Sequence, residues 1–329
     1  MSDAVRRRSG QGPWGSWETV LAWPDPRLRP GVISYRGLRL ALDRPRRRLE
    51  APIGAATLLL GFEEPVTITR AGRPPTTLVS VFAGPTTTPA LGEHCGRLSG
   101  IEVLMTPWTA FTLFGTPLHE LIDRTLDPDD LPHVLRARRN SSVRELSAAL
   151  ASLPTWEQRF GLLDDVLVRW SGAGTPSSAR VVRAWGELVR TGGTVPVRSL
   201  ADEVGWSVRQ LENRFREQIG LGPKVAARVL RLQRARRLLA EGHGQAETAA
   251  MCGFYDQAHL SGEFRVMTGC TPREFTMARG VAPVSQPGVP AADRITGEAT
   301  SLLLTSARSA VFSKTGRVRS VQADRRPAG

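Results

Sequence analysis

The chain predicts an α+β protein, with a β-rich N-terminal domain, a helical extension and an all-α C-terminal domain. Three observations carry that expectation. Short β-rich runs broken by Pro, Gly and Arg fill residues 31–107; apolar residues recur every three or four positions after Trp108; and a helical pattern occurs twice between residues 200 and 272. The length of 329 residues suits two domains better than one core.

Residues 1–30 read as an N-terminal arm. The runs GVISYRGLRLAL, AATLLLGF, PVTITRA, TTLVSVFAG and GIEVLMTP then suggest a small antiparallel barrel or sandwich. The segments SSVRELSAALASL and PTWEQRFGLLDDVLVRW carry helical periods, which places a first domain at 31–170. SGAGTPSS, residues 171–178, reads as a hinge. A second helical block occupies 175–279, and 281–329 reads as a mostly disordered tail around one apolar run, SLLLTSARSAVF.

Composition narrows the function classes. The formal charge is +13, with net +3 in residues 1–172, +6 in 173–280 and +4 in 281–329, so the basic excess lies towards the C-terminus. Nucleic acid or an anionic surface is therefore the first partner to consider. Lys occurs only at 224 and 314, so the basicity is almost all Arg. No apolar run approaches the ~18–20 residues that cross a bilayer, and MSDAVRRRSGQGPWG has no apolar signal core, which predicts a cytoplasmic protein without membrane contact. Cys95, Cys252 and Cys270 form no CxxC pair, and no GxSxG, GxGxxG, P-loop or HExxH string is present. The expectation is a protein without metal, cofactor or enzymatic activity.

The internal repeat is the most informative feature. LADEVGWSVRQLENRFREQIGLGP at 200–223 aligns with TAAMCGFYDQAHLSGEFRVMTGCTP at 248–272. Ala201 and Ala249 precede Gly205 and Gly253 by four residues, and Trp206 and Phe254 follow the glycines. Leu211 and Leu260 precede Phe215 and Phe264 by four; each Phe is followed by Arg, by Gly five residues on and by Pro eight residues on. Each position has a use in a helix-turn-helix. Ala permits close helix approach, Gly turns the chain, Ser207 or Asp256 caps the next helix, and Leu and Phe fasten it to the core. The opposite face, with Ser207 at its start, then carries Arg209, Gln210, Glu212, Asn213 and Arg216 in the first unit. In the second it carries Gln257, Ala258, His259, Ser261 and Gly262, with Arg265 nearby.

With this tandem pattern, residues 175–279 resemble the C-terminal domain of the AraC/XylS family of bacterial transcription regulators. The resemblance implies two recognition helices, at about 207–219 and 256–268, in successive major-groove segments of double-stranded DNA. Between them PKVAARVLRLQRARRLLAEG predicts one linker helix, Lys224–Ala240, with Val225, Val229, Leu232, Ala235 and Leu239 on one stripe. Arg231, Arg234, Arg236 and Arg237 on it either touch phosphates or form a solvated face. The resemblance also implies a cupin-like sensing or dimerisation domain before the hinge; a barrel rich in Leu, Val and Phe there either holds a small-molecule effector or is a purely structural barrel filled by those same residues, and a homodimer and contact with RNA polymerase are further partner expectations.

Arg209 and Asn213 are the leading base readers, since Arg pairs bidentately with guanine and Asn with adenine. Glu212 accepts from a cytosine amino group or pairs with Arg209 or Arg216. Arg214, Arg216 and Arg265 suit phosphate positioning. Asp256, His259 and Glu263 have the spacing of a helical ligand pair but lack the third ligand and the outer hydrogen-bond partners a metal site needs, so His259 is either a DNA contact or a surface histidine beside it. Gly262 stands where the family commonly has a large polar or basic side chain, so the first unit is expected to read and the second to anchor. Two alternatives remain: a DNA-binding domain fused to an enzyme, for which the PCHR-type cysteine motif is absent, and a non-specific architectural binder.

Overall fold

The computed structural model describes residues 5–12, 15–131, 142–280, 301–304, 310–312 and 318–320. In chain order, β1 (Val5–Gly12), β2 (Gly15–Ala22), β3 (Val32–Leu42), β4 (Arg46–Glu50), β5 (Ala56–Gly61), β6 (Val66–Arg70), β7 (Thr76–Leu78), β8 (Val81–Ala83), β9 (Ala90–His94) and β10 (Arg97–Met105) come first. Then follow α1 (Pro107–Phe114), β11 (Thr125–Leu126), α2 (Val143–Ser152) and α3 (Trp156–Ala173). The C-terminal block holds α4 (Ala179–Arg190), α5 (Val197–Glu203), α6 (Val208–Gln218), α7 (Pro223–Ala240), α8 (Gln245–Met251), α9 (Gln257–Thr268) and α10 (Pro272–Gly280). The chain thus has the α+β class the sequence predicts.

Two antiparallel sheets form the N-terminal domain, in the orders β1-β2-β3-β10-β5-β8-β11 and β12-β4-β9-β6-β7, where β12 is Ser301–Leu304. Residues 5–22 are therefore not an arm: Val5 pairs with Ala22 through to Gly12 with Gly15, a hairpin that extends the first sheet through β3. The run TTLVSVFAG divides, β7 joining one sheet and β8 the other. β12 lies in the stretch expected to be mostly disordered; it pairs antiparallel with β4, Ser301 opposite Glu50 and Leu304 opposite Arg47, and so covers an edge whose backbone groups need partners. β13 (Ala310–Phe312) and β14 (Val318–Ser320) pair with each other, and the remainder of 281–329 lies outside the described residues.

The apolar core differs from the expected Leu/Val/Phe barrel. It lies between the first sheet and α1–α3, where Leu58, Leu60, Ile101, Val103 and Met105 meet Phe111, Phe114, Leu146, Leu163 and Leu167. Helix α3 sits so close that a Cβ on Gly37 would fall 2.6 Å from the Trp156 ring, and Tyr35 donates to Asp164 at 2.8 Å. The other face of this sheet carries charge: Arg36 of β3 pairs with Glu102 of β10. On the second sheet Arg48 and Glu50 lie 3.6 Å apart, and His94 stands opposite Arg46. Burial, then the charges of Arg48 and Arg46, push the His94 pKa down to about 4.

The hinge reading of 171–178 also needs correction. Helix α3 continues to Ala173, Thr175 N–H donates to the Thr112 carbonyl at 3.2 Å, and Ser178 N–H donates to the buried Gln218 side chain at 2.8 Å. The segment is pinned at both ends because its backbone donors find partners on α1 and α6. Further contacts join the domains. Leu49 enters the C-terminal core, Trp108 meets Trp185 edge to face at 6.2 Å, and Gly54 N–H donates to Gln233 at 3.1 Å.

Candidate nucleic-acid interface

The first unit is α5, a turn and α6. Gly205 takes the left-handed conformation, φ +66°, which a side chain would strain. Ser207 then closes a capping box: its Oγ accepts from Gln210 N–H at 3.2 Å, and Gln210 Oε1 accepts from Ser207 N–H at 2.9 Å. Leu211 and Phe215 are fully buried. The 3.6-residue period consequently turns Arg209, Gln210, Glu212, Asn213 and Arg216 outward, and all five are exposed. Ser207 and Gln210 spend part of their hydrogen bonding on the cap. Arg209, Glu212, Asn213 and Arg216 have no side-chain bond among the described residues, so Glu212 pairs with neither arginine. Arg214, by contrast, pairs with Glu217 at 2.9 Å.

The second unit repeats the geometry. Gly253 is left-handed, φ +70°, and Asp256 caps α9 by accepting from His259 N–H at 2.7 Å. Leu260 and Phe264 are fully buried; Gln257, Ala258, His259, Gly262 and Arg265 are exposed and Ser261 is half-buried. His259 Nδ1 accepts from Tyr255 N–H at 3.2 Å while its ring meets Phe254 at 5.5 Å. That bond assigns the hydrogen to Nε2, the atom left for a partner. Gln257 reaches Gln245 at 3.4 Å. Glu263 is ion-paired with Arg228 on α7, and Asp256 is committed to its cap, so the three acid and histidine side chains do not converge. Among the described residues no group of three or more His, Cys, Asp or Glu is placed to hold a metal.

The linker helix spans Pro223–Ala240, about 27 Å at ~1.5 Å per residue. Val229, Leu232, Ala235 and Leu239 are buried, but Val225 is 40% exposed, at the outer edge of the stripe. Arg236 is 1% exposed and donates to the Pro52 carbonyl at 3.0 Å, which removes it from the phosphate candidates. Arg231 donates to the Gly193 carbonyl at 3.0 Å and lies over Phe254. Arg237 remains exposed.

Tyr255, which sequence reasoning passed over, is 93% exposed immediately before the α9 cap. A signal existed: Phe254 fills the core, and the next residue in an extended turn must point the other way. An unburied aromatic beside the exposed start of α9 offers both a ring and a hydroxyl to a partner.

Residues 200–278 match the model of a helix-turn-helix domain. The HTH-type transcriptional activator RhaS of Escherichia coli O9:H4 (strain HS) is 34% identical over 82 residues, 25% of this chain and 30% of that protein. RhaS of Salmonella arizonae is 34% identical over 86 residues, 26% of this chain and 31% of that protein. The chain therefore matches less than a third of the length of these curated relatives. Among solved structures, a transcriptional regulator with an AraC-type DNA-binding domain from Chromobacterium violaceum is 31% identical, covering 33% of this chain and 95% of that one, with a TM-score of 0.30. ToxT from Vibrio cholerae O395 covers 73% of this chain and 95% of its own at 11% identity and a TM-score of 0.39.

Proposed function

Given that the C-terminal domain of this chain belongs to the AraC-type helix-turn-helix family, we propose that the protein is a non-enzymatic regulator of transcription. It binds specific double-stranded DNA through α6 and α9. The N-terminal domain sets their placement in response to a small molecule or to self-association. The observation that carries the reading is the outer strip of α6. Arg209, Glu212, Asn213 and Arg216 project from a helix capped at its start and fastened by Leu211 and Phe215, and none is spent on a bond within the described residues. Held rigidly and unpaired, Arg209, Glu212 and Asn213 can each read a different base edge while Arg216 suits a phosphate, an arrangement fit for the major groove. Arg265 and Arg237 supply phosphate contacts beside them. The α7 length supports two reading heads near one ~34 Å helical turn apart.

Selection from random-sequence DNA by the full chain tests this directly. The expected product is a bipartite motif with its halves about one turn apart, retained as salt rises. Retention of unselected and selected pools alike, with affinity governed by salt alone, would mark a general binder instead.

A further inference from the structure

At the open edge of the N-terminal domain, β6 and β7 of the second sheet face β11 of the first across a cleft of about 280 Å³. Its lining includes three arginines, Arg70, Arg73 and Arg124, the last with one terminal nitrogen donating to the Glu120 carbonyl at 3.3 Å. One carboxylate is present, but Asp123 is claimed by Thr87 N–H at 2.7 Å, the Thr87 hydroxyl at 2.5 Å and Thr88 N–H at 3.1 Å. Arg70 is only 9% exposed, and although one of its terminal nitrogens donates to the Thr88 carbonyl at 3.3 Å, its Nε has no partner. The Thr125 hydroxyl, on the same wall, is likewise buried without a partner. Two unsatisfied polar groups in one cationic cleft are costly unless something binds there. Ile68 and Leu126 give the cleft an apolar side as well.

The wall is also continuous with the DNA-binding domain. Leu118 lies so close to the end of α6 that a Cβ on Gly220 would come within 3.0 Å of its carbonyl oxygen. Ile122 packs on the C-terminal core, and the following residues, Asp123 to Leu126, line the cleft. We propose that the cleft binds a small organic anion, a carboxylate with a short apolar body, and that residues 118–126 transmit its occupancy to the first recognition helix. The second half of this proposal rests on the DNA-binding function proposed above; the first half does not.

The test titrates the full chain with sodium hexanoate, and with hexylamine and inorganic phosphate at matched ionic strength, by calorimetry and thermal melting. Hexanoate is expected to saturate at one per chain, hexylamine not to bind, and phosphate to bind at least tenfold more weakly because it lacks an apolar body. Arg70→Met keeps the side-chain length while removing a buried charge, and Arg124→Ala alters an exposed residue; each is expected to weaken hexanoate at least tenfold with the fold intact. Binding that does not saturate, that survives both substitutions, or that hexylamine or phosphate matches overturns the site. On selected DNA, saturating hexanoate is expected to change affinity at least threefold in the parent chain and not in Arg124→Ala. Hexanoate binding with unaltered DNA affinity overturns the coupling. Hexanoate binding by a chain that selects no DNA sequence overturns the DNA-binding reading and leaves the site standing.

Discussion

Gly262 sits inside α9 on its exposed side, where an added Cβ would meet no atom within 4 Å. Glycine in a helix interior costs roughly 0.8–1 kcal/mol relative to alanine, chiefly because the unfolded chain gains freedom. Since Gly262→Ala introduces no clash, half or more of that difference should appear as added stability, about 0.4–1 kcal/mol. For a cooperative unit the size of the C-terminal domain this corresponds to roughly 2–8 °C in the melting midpoint. Urea unfolding of the full chain, followed by helical ellipticity, would show a higher midpoint at unchanged slope. DNA affinity should stay within about twofold, since a methyl group adds neither charge nor a hydrogen bond. A more stable variant that binds selected DNA tenfold more weakly would refute the reasoning: it would mean that DNA approaches the bare backbone at Gly262, and that the glycine is kept for contact rather than left by default.

Asn213→Ala and Arg209→Ala should each cost about 1–3 kcal/mol on the selected sequence and relax preference at one position. Gln257→Ala and His259→Ala should relax it less, and larger losses from the second pair would reverse the assigned division of labour. Arg265→Ala should weaken all sequences alike and flatten the salt dependence by about one phosphate contact, measured by anisotropy across a salt series. Phe264→Ala empties a fully buried site that also meets Phe275 at 5.5 Å, so a loss of about 3–5 kcal/mol is expected in denaturant unfolding. His94 has a folded pKa of about 4 against an ordinary 6.5, so it stays neutral in the folded chain where the unfolded chain takes up a proton. Stability should therefore fall between about pH 6.5 and 4 with up to one proton's slope, ~1.36 kcal/mol per pH unit, and His94→Gln should remove that part of the decline.

The C-terminal domain was legible because its signals are local. Gly205, Gly253, Ser207 and Asp256 act within a few residues of themselves, and the structure starts α6 and α9 one residue after the expected caps. Strands whose identity depends on distant partners were harder to read. VRRRSGQG has little β propensity, and β1 exists because β2 offers it a full register. RRRLE gives β4 no apolar alternation, yet β9 pairs with all five of its residues. Arg236 looked like any other arginine on a basic helix face; only the fold brings the Pro52 carbonyl to it. Tertiary partners, not propensity, decide such positions.

The two units of the repeat also differ in how they are held, which sequence symmetry conceals. The N-terminal domain meets the end of the first unit at Leu118 against Gly220 and meets α4 at Trp108 against Trp185, and it grips α7 through Pro52–Arg236 and Gly54–Gln233. The second unit is tied to α7 by Arg228–Glu263, an ion pair 35 residues apart in sequence on partly exposed side chains. Such a pair is worth little beyond about 1 kcal/mol. A shift in the N-terminal domain therefore acts on α6 and on the linker, and reaches α9 through α7 and also through α10, which touches β12 and packs Phe275 against Phe264 of α9. If the two heads must fit successive grooves of one duplex, the quantity under control is their relative placement, and the linker helix is one lever on it. Breaking Arg228–Glu263 with Glu263→Gln should then loosen the second head without disturbing the first. The expected result is an unchanged preference at the bases read by α6 and a weaker one at the other half of the motif. Equal weakening of both halves would mean that the heads move as one body.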